Sequence, residues 1–324
     1  VTHKKGRDVR ETTGTFYKGV GRPVTLEEYK TQTNNMSINR DFLKTTQFKH
    51  DIFKGKVVFV TGGAGSICRV QTEAMVLLGA NATIIGRNKD KTEKAAREME
   101  ALRPGSKVLG LGGVDVRDVH SLEQAVATTV EKLGRIDYVI CGAAGNFLSD
   151  FNNLSSNAFK SVVSIDLLGS FNTVKAVYPQ LLKHKGSIIF VSTTLHYYGV
   201  PFQAHVGAAK AGIDALSNAL AVELGPLGIR SNCIAPGMIK DTEGFDRLSA
   251  GKSIEQLTKT VPLQRPGYKE DIANATVFLF SDAASYITGD VLVVDGAAWH
   301  MGQCAAMDAY PEQLKQRLLG PPKL

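Results

Sequence analysis

The run Thr61-Gly62-Gly63-Ala64-Gly65-Ser66-Ile67-Cys68 follows directly on four aliphatic or aromatic residues, Val57–Val60. A glycine-rich turn where a buried strand meets a helix lets bare backbone approach a pyrophosphate. The helix N-terminus adds unpaired N–H groups and the positive end of its dipole. Thr61, Gly62, Gly63, Ser66 and Ile67 are therefore candidate cofactor contacts, with the helix expected to begin near Arg69. Such a turn can also be no more than a tight bend, and its place after the first buried run carries the chemical reading. A second apolar run, Ala82–Ile85, ends at Gly86-Arg87-Asn88. In dinucleotide folds this tip meets the adenosine ribose, where an acid accepts from the 2′-hydroxyl of NAD and Arg pairs with the 2′-phosphate of NADP. Arg87, with no acid beside it, points to NADPH, and Arg69 offers a second cation; the alternative for Arg87 is a solvated loop cation. Asp115, after a third run, can accept from an adenine amino group. Gly142-Ala143-Ala144-Gly145, after a fourth, lets Ala143 pass close to a ribose, although both features also suit ordinary turns.

Stepping along the chain, the apolar runs are Val57–Val60, Ala82–Ile85, Val108–Leu111, Ile136–Cys141, Ser187–Val191, Ile229–Ile234 and Val291–Val294. Continuous runs of this length suit strands buried on both faces, and the longer segments between them suit helices. The alternation predicts an α/β single domain with a doubly wound parallel sheet (Rossmann fold), its ligand at the carboxyl ends of the strands. The expected organisation is a reductase domain over residues 51–300, a C-terminal extension over 301–324, and a polar N-terminal arm over 1–50, poorly ordered or draped on the surface. Met36 is a candidate natural start within that arm.

Composition narrows the function classes. Lys+Arg number 38 against 31 Asp+Glu, a net charge of +7, which suits either a plain basic surface or a site for a phosphorylated ligand. Basic blocks interleaved with aromatics are missing from the sequence, which argues against nucleic acid. The cysteines Cys68, Cys141, Cys233 and Cys304 show no paired spacing and read as small core residues, with no metal site expected. The apolar runs are all too short for a membrane span.

These junctions, in this order, resemble the short-chain dehydrogenase/reductase family from Lys54 to about Trp299. Its TGxxxGxG motif is met at Thr61 and Gly62, whereas Ser66 and Cys68 replace its last two glycines. Asn232, Pro236 and Gly237 match its N-x-x-x-P-G segment, which closes over the nicotinamide, with Ile239 just beyond. The family's lysine is matched by Lys210, but Val206 stands where the proton-donating Tyr is usual. Asp166 stands where an Asn is usual, and Thr193 lies near the Ser. Within the family, Gly145-Asn146-Phe147, Asn157-Ala158-Phe159-Lys160, Ile165-Asp166, His205–Lys210, Thr242-Glu243-Gly244 and Pro262–Arg265 resemble the 2,4-dienoyl-CoA reductase branch, above all its peroxisomal type.

That resemblance implies NADPH-dependent reduction of a 2,4-dienoyl-CoA substrate to the 3-enoyl-CoA in β-oxidation. Hydride at the far carbon of a conjugated thioester sends electrons to the thioester oxygen, so the reacting carbon forms no alkoxide and a phenol donor is dispensable. The resemblance assigns Asn146 as donor to that oxygen and Lys210 to the nicotinamide ribose and as nearby positive charge. Asp166 is expected to orient or activate a water that returns the proton, and Asn146, Phe147 and Thr193 are the expected substrate contacts. Each also admits a plainer role: ribose anchor only for Lys210, backbone acceptor for Asp166, end of a turn for Asn146, local hydrogen bonding for Thr193. Tyr197 and Tyr198 are the nearest phenols, and His196 and His205 read as structural or solvent-facing. A reductase of another carbonyl or enoyl substrate and a non-catalytic nucleotide-binding regulator are the alternatives. The segments Ser155–His184 and His205–Gly225 resemble helices through which family members form homo-oligomers. The Pro322-Lys323-Leu324 end partly matches a Ser-Lys-Leu peroxisomal import signal, implying an import receptor and peroxisomal localisation.

Overall fold

A computed structural model of the chain describes residues 16–17, 23–24, 37–38, 41–242, 245, 258 and 261–305. The chain divides into two units, Val1–Asn35 and Met36–Leu324. In the first, Phe16–Tyr17 pairs antiparallel with Pro23–Val24. Most of the expected arm and the Pro-Lys-Leu end lie outside the described residues. Residues 36–50 of the expected arm belong to the second unit: Ile38 and Phe42 are buried in its core, and the Ile38 N–H donates to Glu73 Oε2 at 2.6 Å.

All seven expected runs form strands of one parallel sheet. They are β1 (Val57–Thr61), β2 (Asn81–Gly86), β3 (Val108–Gly112), β4 (Tyr138–Cys141), β5 (Ser187–Val191), β6 (Arg230–Pro236) and β7 (Val291–Val294). Their spatial order is β3-β2-β1-β4-β5-β6-β7. The order reverses at β1 and β4, which leaves a crevice at the carboxyl ends of these two strands. The strand period of two explains why the runs are continuously apolar. In β1, Val58 and Val60 enter the core on one face while Phe59 enters the core on the other. Ile189 and its neighbours Ile188 and Phe190 divide in the same way in β5. Neither face of such a strand meets water.

Helices α1 (Ser66–Leu77), α2 (Lys89–Glu100), α3 (Val119–Leu133), α4 (Ser156–Val163), α5 (Gly169–His184), α6 (Ala204–Leu224) and α7 (Lys269–Phe280) cover the sheet. Asn88, Asp118 and Ser155 start α2, α3 and α4 by accepting from backbone N–H groups of the first turn. The segment expected to be one long helix is interrupted: a π-turn, Ser164–Leu168, joins α4 to α5. Helix α1 begins three residues earlier than expected, at Ser66, so Ser66 and Ile67 lie in its first turn. Among the described residues, no helix is long and apolar enough to cross a membrane.

Candidate active site

The glycine turn has the shape its sequence calls for. Gly62 has φ +67°, a left-handed conformation that costs glycine little. A Cβ on Gly63 would meet Ile84 Cβ at 2.5 Å, so the turn lies directly against β2. Gly65 precedes α1 and offers no side-chain cap, which leaves the first-turn N–H groups of the helix to an external acceptor. This uncapped cradle fits the pyrophosphate of a dinucleotide.

Several expected contacts are already committed within the protein. The Thr61 hydroxyl accepts from the N–H groups of Gly142 and Ala143 at 3.1 and 3.2 Å, tying the turn to the loop after β4. Cys68 fits in place of the family glycine because Gly142 faces it; a Cβ there would lie 2.0 Å from Cys68 Sγ. Arg87 is exposed at the tip of β2. Asp115 is held by Arg117 through contacts of 2.6 to 3.2 Å, and this guanidinium keeps its carboxyl below the usual range. An adenine amino group donating to Asp115 would share it with Arg117. The expectation that Arg69 adds charge for a cofactor phosphate is corrected. Its guanidinium is buried and bound to Glu73 at 2.8 Å, to Glu98 at 2.8 Å and to Ser37 at 2.9 Å.

Beyond β6, Gly237 packs on Asp295, where a Cβ would meet Asp295 Cβ at 2.4 Å. Pro236 ends the strand, the Ile239 side chain is buried in the core, and the Ile239 carbonyl accepts from the Thr242 hydroxyl at 2.7 Å. Asn232 is structural: its amide donates to the Ile287 carbonyl and accepts from the Asp290 N–H, both at 3.0 Å.

The candidate catalytic groups converge from three elements. Asp166 lies in the π-turn and is fully buried. Its Oδ1 accepts from the Gly145 N–H at 2.7 Å. Its Oδ2 makes no hydrogen bond but sits 3.3 Å from Lys210 Nζ. Lys210, on α6, also donates to the Val191 carbonyl at 2.8 Å. One ion pair thus joins the π-turn, α6 and the end of β5, and fixes the loop that carries Asn146. Widening a helix by one residue per turn is common at functional sites, and here it occurs at the residue that faces Lys210. Val206, one turn before Lys210, is buried with Val162 and Ala209, so a hydrocarbon fills the usual phenol position. Asn146 is half-buried in the loop after β4, and Phe147 beside it is exposed. Thr193 accepts a long local hydrogen bond of 3.4 Å from the Leu195 N–H.

His205, His196 and Tyr197, marked in the sequence without a catalytic role, also shape the site, together with Asp214 and Ser192, which the sequence reading missed. His205 is fully buried. Its Nε2 lies 3.1 Å from the Phe147 carbonyl, and its ring stacks on Phe147 at 4.2 Å. Burial holds its pKa below the ordinary value, so the neutral ring donates through Nε2. His196 Nε2 lies 2.9 Å from Asp214 Oδ2, and Ser192 Oγ donates to Asp214 Oδ1 at 2.5 Å. Asp214 falls four residues after Lys210, on the same face of α6, a spacing that could have marked it. Burial, followed by the nearby Asp214 charge, pushes the Tyr197 phenol to about 12, which makes it a weak acid. Burial also raises the Cys68 thiol to about 12 and the Cys141 and Cys233 thiols further, as expected of inert core residues. Surface cavities of about 250 and 460 Å³ lie along β7. Neither is lined by Asp166 or Lys210.

Residues 62–297 match the family model described as enoyl-(acyl carrier protein) reductase. The chain belongs to the short-chain dehydrogenase/reductase family. Within it, the chain is 61% identical over 279 residues to the peroxisomal 2,4-dienoyl-CoA reductase of Saccharomyces cerevisiae, covering 86% of this chain and 96% of that one. It is 42% identical to the peroxisomal 2,4-dienoyl-CoA reductase of Danio rerio over 254 residues, 78% and 84% of the two chains. Among solved structures, a levodione reductase superposes with TM-score 0.71 at 28% identity, covering 80% of this chain and 100% of that one. The strand order that carries the nucleotide crevice is thus the family's.

Proposed function

We propose that this protein reduces 2,4-dienoyl-CoA thioesters to 3-enoyl-CoA with NADPH, in the peroxisomal β-oxidation of unsaturated fatty acids. The single observation behind this reading is a buried Val206 at the phenol position beside an intact Asp166–Lys210 pair. The Saccharomyces cerevisiae and Danio rerio relatives act on this class of substrate by name. The turn Gly62, Gly63, Ser66 and Ile67 holds the pyrophosphate and Arg87 the 2′-phosphate. Asp115 and Ala143 meet the adenosine half, while Pro236, Gly237 and the backbone of Ile239 meet the nicotinamide half. NADPH supplies the hydride that adds to the δ-carbon of the dienoyl thioester.

The chain's own residues handle the charge and proton that follow. Electron density moves to the thioester oxygen, where the Asn146 amide donates a hydrogen bond; such a donor lowers a barrier by about 2.7–4 kcal/mol. The Lys210 ammonium adds positive potential from a site with little water, where charge acts more strongly. Asp166 Oδ2, the carboxylate oxygen without a hydrogen bond, holds the water that delivers the proton to the α-carbon. The double bond then lies between the β- and γ-carbons. Thr193 and Phe147 border the thioester.

A homo-oligomer follows from the same reading, because α4, α5 and α6 expose Phe159, Phe171 and Val222. Sedimentation at micromolar protein tests it, and a monomer would refute it. Import through a peroxisomal receptor is part of the proposal, and a tagged chain with a free C-terminus that stayed cytosolic would oppose it. The deciding assay measures NADPH and NADH oxidation with decadienoyl-CoA and with a simple ketone. Turnover of the ketone alone would sink the proposal.

A further inference from the structure

Asp214 is a buried carboxylate that the reduction does not use. Burying a charged carboxylate is costly unless donors surround it. Ser192 Oγ at 2.5 Å, His196 Nε2 at 2.9 Å and Tyr197 Oη at 3.5 Å all reach it from the single loop between β5 and α6. Cys233 Sγ faces the same carboxylate from β6. The His196 ring also runs along α6. A Cβ on Gly207 would have His196 Cβ as its nearest neighbour, at 3.9 Å, while Nε2 reaches Asp214. Those two positions bracket Lys210, so the loop is clamped onto the turns of α6 that carry the catalytic lysine.

The clamp continues outward. The His196 ring meets Tyr197 edge-on at 4.5 Å, and Tyr197 meets Trp299 edge-on at 5.4 Å. Trp299 is fixed from the other side, because its N–H donates to Asp295 Oδ2 at 2.8 Å, and Asp295 packs on Gly237. The Tyr197–Trp299 contact therefore spans from the end of β5 to the turn after β7, over the end of β6 where the nicotinamide half is held. Tyr197 remains 41% exposed, so part of this aromatic side chain is open to a ligand.

We infer that Tyr197 and Trp299 form the wall on which the apolar tail of the acyl thioester rests, and that Asp214, His196 and Ser192 are positioning residues that hold this wall against α6. The inference rests on the acyl-thioester reading above and adds a determinant of chain-length preference.

Trp299 is the only tryptophan in the chain, which makes it a built-in reporter. The full-length protein is titrated with dodecanoyl-CoA, which is saturated and unreactive, and with free CoA. Emission is expected to change saturably with the first and not with the second. In steady-state assays, Tyr197→Ala is expected to raise KM for decadienoyl-CoA about tenfold. That corresponds to about two lost methylene contacts. KM for hexadienoyl-CoA and kcat should stay within about twofold. His196→Gln, which keeps a donor toward Asp214, is expected to behave as the parent, whereas His196→Leu should follow Tyr197→Ala. NADPH affinity checks that each variant is folded. Emission unresponsive to dodecanoyl-CoA, or KM rising equally for both chain lengths, would overturn the inference while leaving the dienoyl reductase reading intact. A parent enzyme that reduces neither decadienoyl-CoA nor hexadienoyl-CoA would remove both.

Discussion

Asp166→Asn preserves the volume of the side chain and an oxygen for the Gly145 N–H, but removes the charge that faces Lys210 at 3.3 Å. At an effective dielectric constant of about 20, two unit charges at that separation attract by about 5 kcal/mol, an upper bound before desolvation is subtracted. Removing one member of a buried pair costs about 3–5 kcal/mol, because the survivor is left uncompensated. Lys210 keeps the Val191 carbonyl at 2.8 Å, so the lower end, about 3 kcal/mol of unfolding free energy, is expected from urea titration. The kinetic effect has a separate origin. A group that positions a proton donor contributes about 10²–10⁴ in rate, so kcat for decadienoyl-CoA should fall by about a hundredfold or more. NADPH affinity, which the proposal assigns mainly to the glycine turn and Arg87, should fall far less. Single-turnover NADPH oxidation and cofactor fluorescence separate the two quantities. A variant that kept the parent's turnover across pH, or lost NADPH affinity as steeply as turnover, would show that Asp166 is only a structural acceptor.

Gly142→Ala places a methyl group 2.0 Å from Cys68 Sγ, and overpacking of this kind costs about 1–3 kcal/mol. Adding Cys68→Ala should recover most of that loss in denaturant unfolding; additivity within about 0.5 kcal/mol would disprove the contact. Arg87→Ala should weaken NADPH binding by about 10–100-fold through loss of a charge-assisted bond and leave NADH unchanged, as read by cofactor fluorescence. His205, held by burial below its ordinary 6.5, binds its proton more readily in the unfolded chain. Its contribution to stability is therefore complete above about 6.5 and is lost as pH falls through the folded value. The Tm advantage of the parent over His205→Gln should shrink between about pH 7 and 5. A constant difference would contradict this linkage.

The sheet was legible because its strands are buried on both faces. A run such as Val57–Val60 needs no periodicity when Val58 and Val60 meet one core and Phe59 the other. The helix at Ser66 was placed three residues late because Gly65 and Ser66 read as part of the loop, whereas helix starts depend on where backbone N–H groups are left open. The π-turn was invisible, since Ser164–Leu168 carries ordinary helical residues. Its extra residue coincides with contacts of Asp166 to Gly145 and Lys210, which are 21 residues and 44 residues away along the chain.

By itself the sequence determined which residue types stand at the strand tips: glycines for the turn, Arg87 beside the second strand, Lys210 four residues after a valine. Such local patterns follow from chain geometry, which needs only neighbouring residues. Tertiary structure alone decided which charged groups are already spent. Arg69 is bound to Glu73 and Glu98 and cannot serve a phosphate, Asp115 is held by Arg117, and Asp214 gathers Ser192 and His196 into a clamp. A charge is spent or available according to what lies within a few ångströms of it, and folding brings those neighbours from far along the chain.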